Sequence, residues 1–432
     1  MELSLEASGR RQILLIVALA ISAVLIFQAG EVWLANHRLD SEEIATMERG
    51  ARLMPGDGSA WDRLGRLRQW DFVNPDLPGA VADYWKAVGD DPRSAHYWMD
   101  LAGAYEAMGD DAPALDAYRR AKAAYPASAE VDFYFGNFLL RDENYPQAYA
   151  ELQHAVRTDP TLLPLAISRT WRSSEDIDEL LNNVLPANTE AYLETLDFFA
   201  SIHQAGPGLA VWKRLVELGK PIPLSRAFAF FDELIREDRA GEARDAWRGA
   251  VAVAGLPRDE SSSQNLIWNG KFAREFLNGG LDWRWEPQAD ADMSVDSEPG
   301  PNGSRAIRID FGGGTNLSVV APEQYVPVEP AHRYHFQAFL RTEGITTESG
   351  MRFRITDPNH NGALNVQTDN LTGSHPWTVA QTDFDTPSDT HFLLVQLFRA
   401  QSRLFENKLE GTVRIADVSV SPLSESTGQA PR

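Results

Sequence analysis

From residue 13 to 27 every position is apolar except Ser22, and the run extends to Ala35 with only Gln28 and Glu31 as strongly polar members. Residues 13–30 at the helical rise span about 27 Å, close to a hydrocarbon core of roughly 30 Å. Beyond residue 38 the pattern changes to apolar residues at helical spacing, broken by turn signals such as Gly206-Pro207-Gly208 and Gly219-Lys220-Pro221. After Leu256-Pro257 a polar stretch, 257–264, leads into short runs with period-two alternation between Gly, Pro, Asn and Asp. The clearest are 306–311, 332–341, 351–356, 392–398 and 411–420. The pattern predicts a multidomain chain: a transmembrane helix (13–35), an all-α solenoid (38–256), then an all-β sandwich of jelly-roll type (265–422) with about eight strands. Residues 1–12 and 423–432 read as a cytoplasmic tail and a disordered tail.

Charge gives the first helix a direction. Arg10 and Arg11 precede the apolar run and Glu31 follows it, so the positive-inside rule places the N-terminus in the cytoplasm and the bulk of the chain outside. A cleaved signal peptide fits the apolar length as well. No small-x-small site stands just after Phe27, which favours an uncleaved single-pass anchor. The formal net charge of −22 repels phosphate backbones and counts against nucleic-acid binding. The chain has no cysteine, which excludes thiolate metal sites, thiol nucleophiles and disulfides.

The helical segment carries a repeat. Pro92, Pro126 and Pro160 recur at 34-residue intervals. Before Pro126 stand Trp98, Leu101, Ala102 and Tyr105, then Ala114, Tyr118 and Ala121. The unit ending at Pro160 holds Phe135, Gly136, Leu139, Ala148, Leu152 and Ala155 in the same slots, and the unit ending at Pro92 holds Trp61, Leu64, Gly65, Ala80, Tyr84 and Ala87. These residues resemble the tetratricopeptide repeat family, which implies antiparallel helix pairs stacked around a groove that binds protein. The pattern decays beyond Pro160, although Ala243, Trp247 and Ala250 recover the second-helix spacing.

The β segment resembles carbohydrate-binding-module sandwiches. The resemblance rests on the run 265–272 followed by Leu281-Asp282-Trp283, on the strands 304–309 and 411–420, and on Pro376-Trp377 before Phe384. It implies a glycan as a candidate ligand, and a structural calcium at unspecified positions. Alternation points Tyr334, Phe336, Ala338 and Leu340 to one side of their strand, and Met351, Phe353 and Ile355 inward. Gln337, Arg352, Arg354 and Gln396 then become candidates for a polar face that hydrogen-bonds sugar hydroxyls. Trp283, Trp285 or Trp377 would supply a stacking platform.

Catalytic patterns are missing from the sequence. It has no His-Glu-x-x-His and no Gly-x-Ser-x-Gly, and Gly312-Gly313-Gly314 is not followed by Lys-Ser or Lys-Thr. Residues 357–362 match the first half of a calcium loop, but Thr368 stands where the bidentate carboxylate belongs, so a hairpin turn is expected. The domain combination leads to a non-enzymatic, membrane-anchored scaffold without cofactor in a bacterial inner membrane, its bulk periplasmic. It would bind protein through the repeats and polysaccharide through the sandwich, in envelope or exopolysaccharide synthesis or export. The alternative is a protein-only assembly factor for a secretion or division complex, with the sandwich as a docking module.

Overall fold

The computed structural model describes residues 8–256 and 264–423. The expected linker 257–264, apart from Gln264, lies outside the described residues. So do residues 1–7 and 424–432 of the two expected tails. Two compact units divide the chain, residues 1–186 and 187–432.

The first unit opens with α1 (Ser8–Leu39), among the described residues the one helix long and apolar enough to cross a membrane. Its apolar side chains are exposed along the span, Leu19 at 68 % and Ile26 at 72 %. The surface turns inward only at its end, where Ala35 is buried near α2 (Ile44–Leu53). Gly50 permits that approach, since a Cβ there would stand 3.0 Å from the Arg38 Cβ and 3.1 Å from the Ala35 carbonyl.

Helix pairs follow: α3 (Gly58–Gln69) with α4 (Leu77–Asp90), α5 (Ala95–Met108) with α6 (Asp111–Ala124), and α7 (Ala129–Arg141) with α8 (Tyr145–Thr158). Side chains cap the starts of these helices: Ser94 accepts from the Tyr97 amide and Ser128 from the Val131 amide. In the first two pairs a tryptophan six residues after a proline makes the same bond. Trp98 Nε1 donates to the Pro92 carbonyl at 2.9 Å, and Trp61 Nε1 to the Pro55 carbonyl at 3.1 Å. The small positions sit where helices touch, for a Cβ on Gly65 would lie 2.7 Å from the Tyr84 ring, and one on Gly136 2.8 Å from Leu152. α9 (Leu163–Ser174) and α10 (Ile177–Glu179), which runs into a π turn at Leu180–Val184, complete the unit.

The second unit begins with α11 (Thr189–Ser201), α12 (Ala205–Glu217), α13 (Phe228–Arg236) and α14 (Ala240–Val253), packed around Trp212, Phe230, Phe231 and Trp247. Among the described residues nine strands follow: β1 (Ala291–Val295), β2 (Ala306–Gly312), β3 (Glu323–Pro327), β4 (Arg333–Ile345), β5 (Arg352–Thr356), β6 (Asn365–Gln367), β7 (Gly373–Asp385), β8 (Phe392–Phe398) and β9 (Glu410–Pro422). They form two antiparallel sheets, ordered β1-β2-β9-β4-β7 and β3-β8-β5-β6. Tyr334, Phe336, Ala338 and Leu340 from one sheet and Phe353, Ile355, Val395 and Leu397 from the other belong to a single core, with the alternation read from the sequence.

The last two helices and the sandwich are joined by specific contacts. Trp247 meets Trp268 edge-on at 6.1 Å. Asn359 Nδ2 donates to the Ile235 carbonyl at 2.8 Å and to Asp238 at 2.9 Å, His391 pairs with Asp238 at 2.6 Å, and Arg284 pairs with Asp232 at 2.5 Å. Gly279 and Gly280 lie against Phe228 and Trp247, where an added Cβ would stand 2.1 Å from either ring.

Candidate functional site

The outward side of the four-stranded sheet holds the densest set of candidate residues. In β5, Phe353 and Ile355 enter the core, so Arg352, Arg354 and Thr356 project to the other face. In β8, Leu393, Val395 and Leu397 are buried in the core, which turns Leu394, Gln396 and Phe398 outward. Val326 does the same for Glu323 and Tyr325 in β3. Register then lines up one rung across all four strands: Glu323, Gln396, Arg354 and Gln367. Tyr325, Leu394, Thr356 and Asn365 form the next rung, and Phe398 pairs with Arg352 on the opposite side.

Polar atoms along the central rung are linked. Gln396 Nε2 donates to Glu323 Oε2 at 2.6 Å and to the Val320 carbonyl at 3.2 Å. Its Oε1 accepts from Arg354 Nη2 at 2.8 Å and from Nε at 3.2 Å. The Arg354 guanidinium lies 4.0 Å from the centre of the Phe398 ring, and Arg352 lies 5.8 Å from the same ring. Arg284 covers Tyr325 at 4.9 Å. Both sheet arginines are half-buried, and loss of water pulls each below the ordinary guanidinium pKa; the Glu323 charge opposes the effect at Arg354. Arg352 Nε is shielded from solvent and donates to no acceptor. The two arginines therefore stand beside the Phe398 ring while the Gln396 amide, 5 % exposed, is engaged within the rung; cationic donors beside aromatic surface are a combination that grips a flat polyhydroxylated ring.

Three of the six residues nominated from sequence come together here: Arg352, Arg354 and Gln396. Gln337 sits on β4 of the five-stranded sheet, paired with Gln381 and Ser419 on its outward side, away from the arginines. Trp283 is fully buried against Phe272 at 5.6 Å and Phe276 at 6.1 Å, so its ring is core and offers no platform. Trp377 is half-buried on β7 of the five-stranded sheet, and Trp285 packs against the core. Sequence reasoning passed over Glu323, Tyr325, Gln367 and Phe398. Tyr325 and Phe398 were hard to pick out, because an aromatic residue in an alternating strand reads as core.

The 357–362 segment is a turn between β5 and β6. Asp357 Oδ1 accepts from the Asn359 and His360 amides at 2.8 and 2.9 Å, and Oδ2 accepts from Thr390 Oγ1 at 2.6 Å, so both carboxylate oxygens are engaged by the chain itself.

In the helical unit the first helices of successive pairs touch one another, α3 to α5, α5 to α7 and α7 to α9, forming one continuous layer. A charged cluster lies where α3 meets α5. Asp62, 1 % exposed, pairs with Arg66 at 2.7 Å, and Arg66 reaches His96 at 3.2 Å and Asp100 at 3.7 Å. The ligand atoms of Asp62, His96 and Asp100 lie within 4.8 Å of one another, a spacing that suits a metal ion, but Arg66 already supplies positive charge to all three. Burial, and then the neighbouring Asp100 carboxylate, push the Asp62 carboxyl up to about 7, with Arg66 opposing. A surface groove of about 610 Å³ runs between α8 and the π turn, lined by Tyr145, Tyr149, Gln153, Ser174, Asp176 and Asn183 among others.

No protein-family model matches the chain. Among solved structures it is similar to a CBM4 (15 % identity, TM-score 0.27, over 36 % of this chain and 99 % of that one). It is also similar to the MamA protein (14 %, TM-score 0.25, 46 % and 92 %) and to PilF of Pseudomonas aeruginosa (21 %, TM-score 0.25, 46 % and 78 %). At these scores the likeness fixes neither family nor function.

Proposed function

We propose that this chain is a membrane-anchored scaffold of the bacterial envelope that holds a glycan on its sandwich and a protein partner on its helical array. The observation that carries the glycan clause is the rung Glu323–Gln396–Arg354–Gln367 beside Phe398 and Tyr325. Its polar groups are held before any ligand arrives, which lowers the ordering cost of binding. The protein clause rests on the stacked helix pairs, whose first helices make one continuous layer. The anchor clause rests on α1, whose exposed apolar surface is matched by lipid. Binding rather than bond cleavage is the activity, and organising polysaccharide synthesis or export is the setting that uses all three parts.

Affinity electrophoresis of the full chain in detergent through gels cast with a broad polysaccharide panel tests the glycan clause. Retardation by at least one polymer, reduced by Phe398→Ala, is expected. Unretarded passage through the whole panel would remove the sugar and leave a protein-only assembly factor.

A further inference from the structure

We infer that the ligand of the four-stranded sheet face is an acidic glycan, one that carries uronate carboxylates. The inference rests on the glycan reading above and adds the charge of the sugar. Three observations support it.

The first is the missing counter-charge. Sandwich arginines such as Arg308 with Asp310, Arg341 with Glu298 and Glu343, and Arg414 with Asp296 and Glu343 meet carboxylates, and the buried Arg399, which meets none, is satisfied by the Ser349 and Leu317 carbonyls and the Thr347 hydroxyl. Among the described residues neither Arg352 nor Arg354 has a carboxylate ion pair; they meet the Phe398 ring and, for Arg354, the neutral Gln396 amide. In a chain of net charge −22, two adjacent arginines without acidic partners are a local excess of the rarer sign.

The second is geometry. Arg352 and Arg354 are two residues apart on one strand, so they share a face about 6.6 Å apart along it. Stacking on Phe398 holds the planar Arg354 group beside the ring with donors at its edge, and a guanidinium edge matches a carboxylate with two parallel hydrogen bonds. Arg354 is partly compensated through Gln396 to Glu323, whereas Arg352 has no such relay and keeps a shielded Nε without an acceptor. Arg352 is therefore the primary contact to the carboxylate, and Arg354, braced by the buried Gln396 amide, stands beside it.

The third is desolvation. Both guanidiniums are half-buried, with burial the leading influence on each. Arg352, short of water and without the Glu323 charge that acts on Arg354, gains most from an anion that arrives with its own oxygens.

The test uses the full chain in detergent with matched probes: polygalacturonate, polymannuronate and polyglucuronate, each beside its carboxyl-reduced neutral form, at 50 and 500 mM salt. The expected result is retention of at least one uronan, with affinity reduced about tenfold or more by carboxyl reduction. Arg352→Gln should produce a loss of the same size, Arg352→Lys a smaller one, and high salt should weaken binding of the uronan alone. Equal binding of a uronan and its reduced form, or retention of neutral glycans alone, overturns the acidic inference and leaves the glycan reading standing. Retention of none of these and of no polymer in the broad panel overturns both. The matched probes decide the matter on the unaltered chain even where Arg352→Gln fails to fold.

Discussion

Asp62 is a carboxyl group removed from water, set against a second carboxylate and given one arginine. Its pKa is raised on folding, the reverse of the usual paired aspartate, so the sign of its pH effect is reversed too. Below about pH 4 the group is protonated in both folded and unfolded chains and costs nothing; the cost grows as pH rises toward the folded value near 7 and is complete above it. At about 1.4 kcal/mol per pKa unit, the rise, in which the relief from Arg66 is already included, sets an upper bound of about 4 kcal/mol. Urea unfolding followed by helical circular dichroism should show the helical unit losing stability between pH 4 and pH 7.5. Asp62→Asn should flatten that slope. An unchanged slope in the variant would place the titrating group elsewhere. At this scale the sequence was only partly legible. Alternation placed Arg352, Arg354 and Gln396 on one face, because the neighbours Phe353, Ile355 and Val395 belong to the core. It could not tell which sheet a strand joins, so Gln337 was grouped with residues of the other sheet. Nor could it separate a buried tryptophan from a ligand platform: Trp283 and Trp377 look alike until one packs against Phe272 and Phe276.

Elements were more legible, because a repeat reports its own packing. A physical tie accompanies the turn in the first two units, the proline carbonyl at 55 or 92 accepting from the tryptophan six residues later. In the third unit the equivalent position is Asp132, fully buried and engaged by Lys122 and His154, so the slot is kept while its chemistry changes. Small residues divide into those that permit contact and those that do not. Gly65→Ala would press a methyl group into the Tyr84 ring and should lower the helical unit's stability by about 1–3 kcal/mol. Gly103→Ala, with nothing nearer than Gln69 Nε2 at 4.0 Å, should raise it by about 0.5–1 kcal/mol through helix propensity. Opposite signs in paired thermal melts are the expected result, and equal effects would refute the nesting. The least legible strands were β1, β3 and β6, short and with weak hydrophobic alternation in sequence, whereas β5, also five residues, alternates arginine with Phe353 and Ile355.

For the whole molecule, hydropathy and charge supplied the outline, a long apolar helix followed by a helical and then a β region. They gave no hint of the Asn359, His391 and Arg284 contacts that join α13 and the segment after it to the sandwich, because residues so far apart in sequence leave no local pattern. The absence of cysteine makes topology directly measurable. Phe405→Cys, at a fully exposed loop position, should be labelled by a membrane-impermeant maleimide added to intact spheroplasts, and the chain should stay in the pellet after alkaline carbonate extraction. Labelling only after lysis would reverse the orientation, and release by carbonate would remove the anchor.

The central claim is that the exposed bulk of this chain holds its ligands without breaking bonds. The most direct measurement follows the molar mass of a polysaccharide by light scattering before and after prolonged incubation with the full chain in detergent, alongside the fraction of polymer bound. The account predicts a bound polymer of unchanged length. Shortened polymer, or polymer left wholly unbound, would contradict it.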